Sequence, residues 1–389
     1  MLQQHTDRRT FITRLAWASA AVRGIDFDFS PSLAAEESEL SISTPVPFQV
    51  VQRTGFDPLQ GHEHGKKNPR LGEGKITILG FVPENFPARF EYRVATWADA
   101  LGESGEWRTL EVHRNNFHFE AQAKVPAGGW YRLEVRGHVS EKKTIQQAIE
   151  PIGVGEVFLI AGQSYAAGAN DELLRIDEES GRTASFDLSN KSWRIAHDPQ
   201  PAVGDGGTIW PALGNLLVPL LRTPVGFANA AAGGTASRQW LPGEPLFDHL
   251  VKMAQAVGGF RAVLWQQGES DVIEKTSTQQ YVENLVKIRA AFAERTGSRA
   301  PWLLAKSTLH PTVYNDPAGE QRICSAIDQL VTKPGFLPGP DTDILGGENR
   351  GGPNTRRHFS GIGQRRAAQL WFAAIWQELM RPQEDRAAR

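Results

Sequence analysis

The chain from about residue 150 onward contains short apolar runs typical of strands that are buried on both faces. The four clearest are VGEVFLIAG (154–162), PVGFANAA (224–231), RAVLWQQG (261–268) and APWLLAKST (300–308). Parallel strands covered by helices on both sides have this composition, whereas half-exposed strands alternate apolar and polar side chains. The runs therefore predict a parallel sheet in this part of the chain.

Helical patterns lie between and after these runs. In the clearest, residues 277–296, Ser277 can cap the start and Gly297 can close the end. Its apolar stripe consists of Tyr281, Leu285, Ile288 and Phe292. A second pattern covers about 362–379 and offers Ala367, Leu370, Ala374 and Leu379 for burial. Alternating strands and helices predict a three-layer α/β/α sandwich over residues 151–382.

Residues 45–150 show a different pattern, of short segments that alternate apolar and polar side chains. They are KITILGFV (75–82), ARFEYRVATW (88–97), FHFEAQAKV (117–125) and WYRLEVRG (130–137). This alternation is typical of strands with one buried face, and no good helix pattern interrupts it. We therefore predict a small all-β sandwich domain over 45–150, preceding the α/β domain.

The first 40 residues resemble a targeting segment and linker. Arg8 and Arg9 precede the weakly apolar run TRLAWASAAV, and small residues follow near Ala34 and Ala35. This order is typical of a bacterial twin-arginine export signal and predicts a periplasmic or extracellular protein. The alternative is an N-terminal tail without a targeting role. No later segment approaches the roughly 18 continuous apolar residues that cross a bilayer, so we expect no membrane partner.

Charge and cysteine content narrow the classes of partner. The chain of 389 residues has 42 basic and 44 acidic side chains, a net charge of −2, so nucleic acid is not an expected partner. A single cysteine, Cys324, excludes an internal disulfide and a thiolate zinc cluster. His62 and His64 could contribute to a metal site, but two histidines without a third ligand more often belong to a polar loop. We expect no metal and no cofactor.

Ser164 follows directly after the first buried run. Gly162 allows the chain to turn sharply there, and the next two runs also end in polar or glycine-rich segments, 229–240 and 266–271. Because the carboxyl ends of parallel strands meet at one edge of a sheet, these segments should share a pocket. An ordinary polar turn is the alternative explanation for the serine.

The polar groups of this edge suit acyl transfer, which needs a nucleophile, a base and donors for an oxyanion. Ser164 can be the nucleophile, and the turn at Gly233 or Gly234 and the Gln267 amide can be the donors. The base must be a histidine, and His358 stands in a loop just before the last helix. A loop histidine without a catalytic role is the alternative.

Four segments resemble the motifs of SGNH-type (GDSL-like) hydrolases, in the branch of sialate O-acetylesterases and acetylxylan esterases. They are VGEVFLIAGQSYAAG, VGFANAAAGGTASRQW, LWQQGESD and HFSGIGQ, in the expected order. The resemblance covers about residues 150–380. It implies that Ser164 is the nucleophile, His358 the base, and Gly233 or Gly234 and Gln267 the oxyanion donors, without a metal.

The chain departs from the pattern of that family at two positions. Tyr165 stands where many members have asparagine, which we expect to be a peripheral change at the pocket mouth. Thr355 stands three residues before His358, where an aspartate is common, so the acid partner of His358 is open. The candidates are Asp341, Asp343, Glu348 and Glu269.

The sequence thus predicts a secreted esterase that removes acetyl groups from O-acetylated carbohydrate, of the acetylxylan or sialic-acid type. Two other functions stay open: a carbohydrate-binding protein without catalysis on the same fold, and an esterase of non-sugar acyl esters. The loops that line the pocket set the substrate, so the sequence does not choose the sugar.

Overall fold

The computed structural model of the chain describes residues 40–57, 71–82, 84–177, 181–311, 314–351 and 357–380. The strands are β1 (Ser41–Thr44), β2 (Val50–Gln52), β3 (Glu73–Phe81), β4 (Arg89–Leu101), β5 (Arg108–Leu110), β6 (Val112–Asn115), β7 (His118–Pro126), β8 (Gly128–His138), β9 (Thr144–Gly162), β10 (Thr183–Asp187), β11 (Ser192–Ile195), β12 (Val225–Asn229), β13 (Ala262–Gln266), β14 (Trp302–Lys306) and β15 (Phe336–Asp341). The helices are α1 (Ser164–Ala167), α2 (Trp210–Leu221), α3 (Pro245–Val257), α4 (Glu269–Ile273), α5 (Thr278–Thr296), α6 (Pro317–Leu330) and α7 (Gly361–Ile375). Short 3₁₀ turns cover Ser237–Trp240 and Gly347–Asn349, and a π turn covers Trp376–Met380.

A central sheet runs in the order β11-β10-β12-β9-β13-β14-β15. All of its neighbours pair in parallel except the antiparallel edge strand β11. The four apolar runs form β9, β12, β13 and β14, as predicted. The strands β10 and β11 and the opposite edge strand β15 were not predicted. β15 has the sequence FLPGPD, whose prolines and glycine are unusual in a strand.

Helices cover both faces of the central sheet. Side chains of α3, α5 and α6 share one core with Val157 and Leu159 of β9, and those of α2 and α7 share another with Phe158 and Ile160. The mixed α/β fold with a central sheet is therefore confirmed. Helix α5 begins and ends as predicted: the Ser277 side chain accepts a hydrogen bond from the Gln280 N–H, and Gly297 closes the helix with φ of 69°.

The preceding strands pair into two further groups around a third core. β1, β3, β7 and β6 form a separate four-stranded sheet, while β4, β5 and β8 join the central sheet through β9. The 19 residues of β9 thus belong both to this region and to the central sheet. The predicted boundary between residues 150 and 151 falls inside β9, so a separate all-β domain stays a prediction.

Several predictions from the sequence lie outside the described residues. They concern the twin-arginine segment and linker at 1–40 apart from Leu40, the pair His62 and His64, and Thr355. Within the described ranges, no three or more histidine, cysteine, aspartate or glutamate side chains are grouped to hold a metal. None of the described helices has the length and apolarity needed to cross a bilayer.

Candidate active site

Ser164 lies at the carboxyl edge of the central sheet, separated from the end of β9 by Gln163. Gly162 adopts φ of 133°, and a Cβ there would lie 2.1 Å from the carbonyl oxygen of Gln266 on β13. Only glycine tolerates this conformation and this approach, so the turn that presents the serine depends on it. Ser164 is the first residue of α1 and is nearly buried.

His358 lies over this turn, in the loop between the 3₁₀ turn Gly347–Asn349 and α7. Its Nε2 is 2.9 Å from Ser164 Oγ, although 194 residues separate them in sequence. Burial lowers the pKa of His358 to about 4, and the cations of Arg357 and Arg350 and the nearby His310 act in the same direction. The imidazole is therefore neutral at pH 7, and Nε2 can accept the serine proton.

The Gly-Gly turn after β12 lies beside the serine. A Cβ built on Gly233 would be 3.8 Å from Ser164 Cβ, whereas Gly234, with φ of 70°, has nothing that close. Among the hydrogen bonds of the described residues, the backbone N–H groups of Ser164 and Gly233 donate to no protein acceptor. Both are candidates for binding an oxyanion; the Gly234 N–H also has no acceptor among the described residues, but Gly233 is the nearer of the two predicted glycines to Ser164.

Gln267 lies in the same cluster, but its amide already has partners. Its Nε2 donates to Asp271 Oδ2 at 2.6 Å and to the Thr235 carbonyl at 3.1 Å, and Gln163 Oε1 is 3.3 Å away. Tyr281 Oη donates to its Oε1 at 3.0 Å. In this arrangement both amide hydrogens of Gln267 are used in hydrogen bonds within the protein. Donation by Gln267 to an oxyanion stays a prediction, and it requires one of these hydrogen bonds to break.

The bonds of Gln267 tie it to the loop that holds the Gly-Gly turn. Asp271 accepts from the Ser237 N–H and hydroxyl, each at 2.7 Å, and Thr235 Oγ1 donates to the Ala232 carbonyl at 2.8 Å. Residues on both sides of Gly233 are therefore fixed by one buried polar network. The geometry gives Gln267 the position of a support for the turn.

The four candidate acids have separate surroundings, and none of their described hydrogen bonds goes to His358. Asp343 accepts from Thr308 and from the Leu309 N–H, and Asp341 accepts from the Asp343 N–H. Glu348 is exposed and pairs with Arg366. Glu269 is fully buried, and neither carboxyl oxygen has a partner in any other described residue. Burial raises the pKa of Glu269 well above its ordinary range.

Two features of the site were not anticipated from the sequence. Tyr165 is not peripheral: it is buried, and its ring meets the His358 imidazole edge to face with centroids 5.2 Å apart. His310 is also buried near His358, and its Nε2 lies 3.1 Å from the Arg357 guanidinium. His310 follows β14, so the rule about carboxyl ends of parallel strands could have identified it.

Comparison with known proteins shows that part of the chain is similar to one family of enzymes. Residues 154–306 match the carbohydrate esterase family described as sialic acid-specific acetylesterases. The matched segment includes Ser164, Gly233 and Gln267 but ends before His358, which the fold brings to the serine. The resemblance inferred from the four motifs is confirmed, and the match supports a carboxylic ester hydrolase.

Two individual proteins are similar to the chain. The Arabidopsis thaliana protein named "Probable carbohydrate esterase At4g34215" is 27% identical over an alignment of 173 residues; the match covers 38% of this chain and 65% of that relative. A crystal structure described as a carbohydrate acetylesterase from Xanthomonas citri has a TM-score of 0.51 and 14% identity, covering 86% of this chain and 74% of that one. At that identity the likeness concerns the fold alone.

Proposed function

We propose that this protein is a serine esterase that removes acetyl groups from O-acetylated carbohydrate. The observation that supports the proposal is the 2.9 Å contact between Ser164 Oγ and the neutral His358 Nε2. It lies at the carboxyl edge of a parallel sheet, where ligands bind in this class of fold. The serine belongs to a segment that matches a carbohydrate esterase family.

In the first half of the reaction, Ser164 Oγ attacks the acetyl carbonyl while His358 Nε2 takes the serine proton. The carbonyl oxygen becomes an oxyanion, and the N–H groups of Ser164 and Gly233 stabilise it. Each such donor contributes about 10² to 10³ in rate, because it acts on charge that develops in the transition state. The imidazolium then protonates the sugar oxygen, the sugar departs with a free hydroxyl group, and the acetyl group remains bound to Ser164.

In the second half, water replaces the sugar hydroxyl and the same groups act in reverse order. His358 takes a proton from the water, which attacks the acetyl-serine carbonyl, and the oxyanion forms again at the same N–H groups. Return of the proton to Ser164 Oγ releases acetate. Because an unsupported imidazolium is costly in this buried site, we propose that a carboxylate assists His358, with Glu269, Asp343, Glu348 and Asp341 as candidates.

Acetate release by the purified protein is the direct test of this proposal. Acetylated xylan, an O-acetylated sialic acid and an aryl acetate should be compared at equal concentrations of acetyl groups. Release from either sugar well above that from the aryl ester supports a carbohydrate esterase and names the sugar. Preference for the aryl acetate indicates an esterase of non-sugar esters. Sugar binding with no acetate release indicates a binding protein.

We also propose that the protein is exported, because Arg8, Arg9 and the alanine-rich run that follows them resemble a twin-arginine export signal. Export would place the enzyme where polymeric or cell-surface carbohydrate is found. Localisation of the full chain in a bacterium that has the twin-arginine pathway tests this proposal.

A further inference from the structure

The residue that follows the nucleophile contacts both neighbours of the base. The Tyr165 hydroxyl donates to the carbonyl oxygen of Arg357 at 2.6 Å, directly before His358. Directly after His358, the Phe359 N–H donates to Asn170 Oδ1 at 3.2 Å, and Asn170 Nδ2 donates to the Tyr165 carbonyl at 2.9 Å. The backbone on both sides of His358 is therefore anchored to Tyr165: at Arg357 by the tyrosine hydroxyl, and at Phe359 through Asn170.

A buried cation completes this arrangement. Arg350 is 6% exposed, and its guanidinium donates to the Tyr165 hydroxyl and to the carbonyls of Leu345 and Thr342. Its Cζ lies 5.1 Å from the Tyr165 ring centroid. Because the guanidinium has a rigid fork of donors, Arg350 holds the tyrosine in a fixed position relative to Thr342 and Leu345.

The arrangement constrains His358 in two ways. First, the edge-to-face contact with the Tyr165 ring and the bond to Arg357 limit how the imidazole can move relative to Ser164. Second, Arg350 Cζ lies 5.1 Å from the Tyr165 ring centroid, which itself lies 5.2 Å from the centroid of the imidazole. The positive charge of Arg350 therefore disfavours a second positive charge there, together with the stronger effects of burial and of Arg357. Among the described residues, the charged or titratable groups that act on or contact the imidazole are Arg350, Arg357, His310 and Tyr165.

We propose that Tyr165 and Arg350 are positioning residues for the base: Tyr165 fixes the backbone of His358, and Arg350 holds that tyrosine while keeping the imidazole an acceptor for the Ser164 hydroxyl. The inference rests on the proposed function, whose reaction needs this geometry. It assigns a role to the position at which the sequence departs from the motif of the family that it resembles.

Tyr165→Phe tests the positional part, because it removes the hydroxyl and keeps the ring against His358. We expect kcat to fall about 10- to 100-fold with KM changed less than about twofold, as a small displacement of a base suffices for such a loss. Tyr92→Phe is the matched control, since Tyr92 is also nearly buried and donates one bond, to the Lys124 carbonyl, far from the site in sequence and sheet. A kcat for Tyr165→Phe above half of the wild-type value overturns this part.

Arg350→Gln tests the electrostatic part through the titration of His358. The imidazole resonances of His358, assigned by their loss in His358→Asn, report protonation without any need for turnover. We expect the titration midpoint to rise by roughly half a pH unit or more in Arg350→Gln and to stay near the wild-type value in Arg350→Lys. Arg365→Gln is the control, because Arg365 is exposed and pairs with Glu172.

These readouts separate the inference from the proposed function. An unchanged midpoint in Arg350→Gln overturns the role of Arg350, whether or not acetate is released. If Arg350→Gln fails to fold, Arg350→Lys decides: a lowered kcat at an unchanged midpoint supports the role, and wild-type kcat contradicts it. A wild-type protein that titrates as expected but hydrolyses no acetyl ester contradicts the esterase proposal instead.

Discussion

Replacing Gln267 by alanine distinguishes an oxyanion donor from a support of the oxyanion loop. The change removes the donor to Asp271 Oδ2 at 2.6 Å and to the Thr235 carbonyl at 3.1 Å, both in the buried interior. Asp271 Oδ2 still accepts from the Ser237 N–H at 2.7 Å, but the Thr235 carbonyl loses its donor. A buried acceptor left without its donor costs about 1 to 3 kcal/mol in the free energy of unfolding, which for a chain of this size lowers Tm by about 1 to 4 °C.

The same variant should also lose activity, because the Gly233 turn is no longer held. We expect kcat to fall about 10² to 10³-fold, the range for loss of an oxyanion donor, so kcat alone does not separate the two roles. Asp271→Asn separates the two roles, because Asp271 accepts hydrogen bonds from Ser237 in the same network. If Gln267 is a support, Asp271→Asn lowers both kcat and Tm in the same way.

Calorimetry and acetate release on both variants give the answer. A Gln267→Ala protein with the Tm of the wild type and a kcat reduced at constant KM would refute the supporting role and identify Gln267 as a direct donor. A rise in KM at unchanged kcat would instead make Gln267 a substrate-binding residue.

Three further predictions concern the base, its acid and the N-terminus. The base is active when neutral and the pKa of His358 is about 4, so kcat/KM should stay level from about pH 8 down to pH 5 and fall as pH drops through about 4; a midpoint near 6.5 contradicts the structure. Glu269→Gln should lower kcat by about 10³ to 10⁴ if Glu269 is the acid, and near-full activity would direct the search to the carboxylates at 341, 343 and 348. Replacing Arg8 and Arg9 with lysine should keep the protein in the cytoplasm of a host with the twin-arginine pathway, and unchanged export would show that the pair is incidental.

The sequence predicted those parts of the site that follow from strand order. Apolar runs identify parallel strands, and the carboxyl ends of such strands meet, so Ser164, the Gly-Gly turn and Gln267 were expected together. Helix α5 was predicted with its ends, because a serine cap and a closing glycine are local signals. His358 was found by resemblance and by its place before the last helix.

Other features depend on side-chain directions that no local pattern encodes. The amide of Gln267 can face the substrate or Asp271, and only the packed structure distinguishes the two. Tyr165 looked peripheral because its partner Arg350 is 185 residues away in sequence. The strand β9 continues through the expected domain boundary. The first part of β9 has the alternating burial of a half-exposed strand and its last part is buried throughout, so the sequence suggests two separate elements where the structure has one strand.

The most direct test of the account is chemical identification of the nucleophile. The wild-type protein should be treated with a phosphonate that reacts with activated serines, digested and analysed by mass spectrometry, beside Ser164→Ala and His358→Asn. We predict a single adduct on Ser164 in the wild type, none in Ser164→Ala, a much slower adduct in His358→Asn, and a kcat lowered about 10⁴ to 10⁶-fold in Ser164→Ala with its fold intact. An adduct on another residue, or more than a tenth of wild-type activity in Ser164→Ala, would contradict the account.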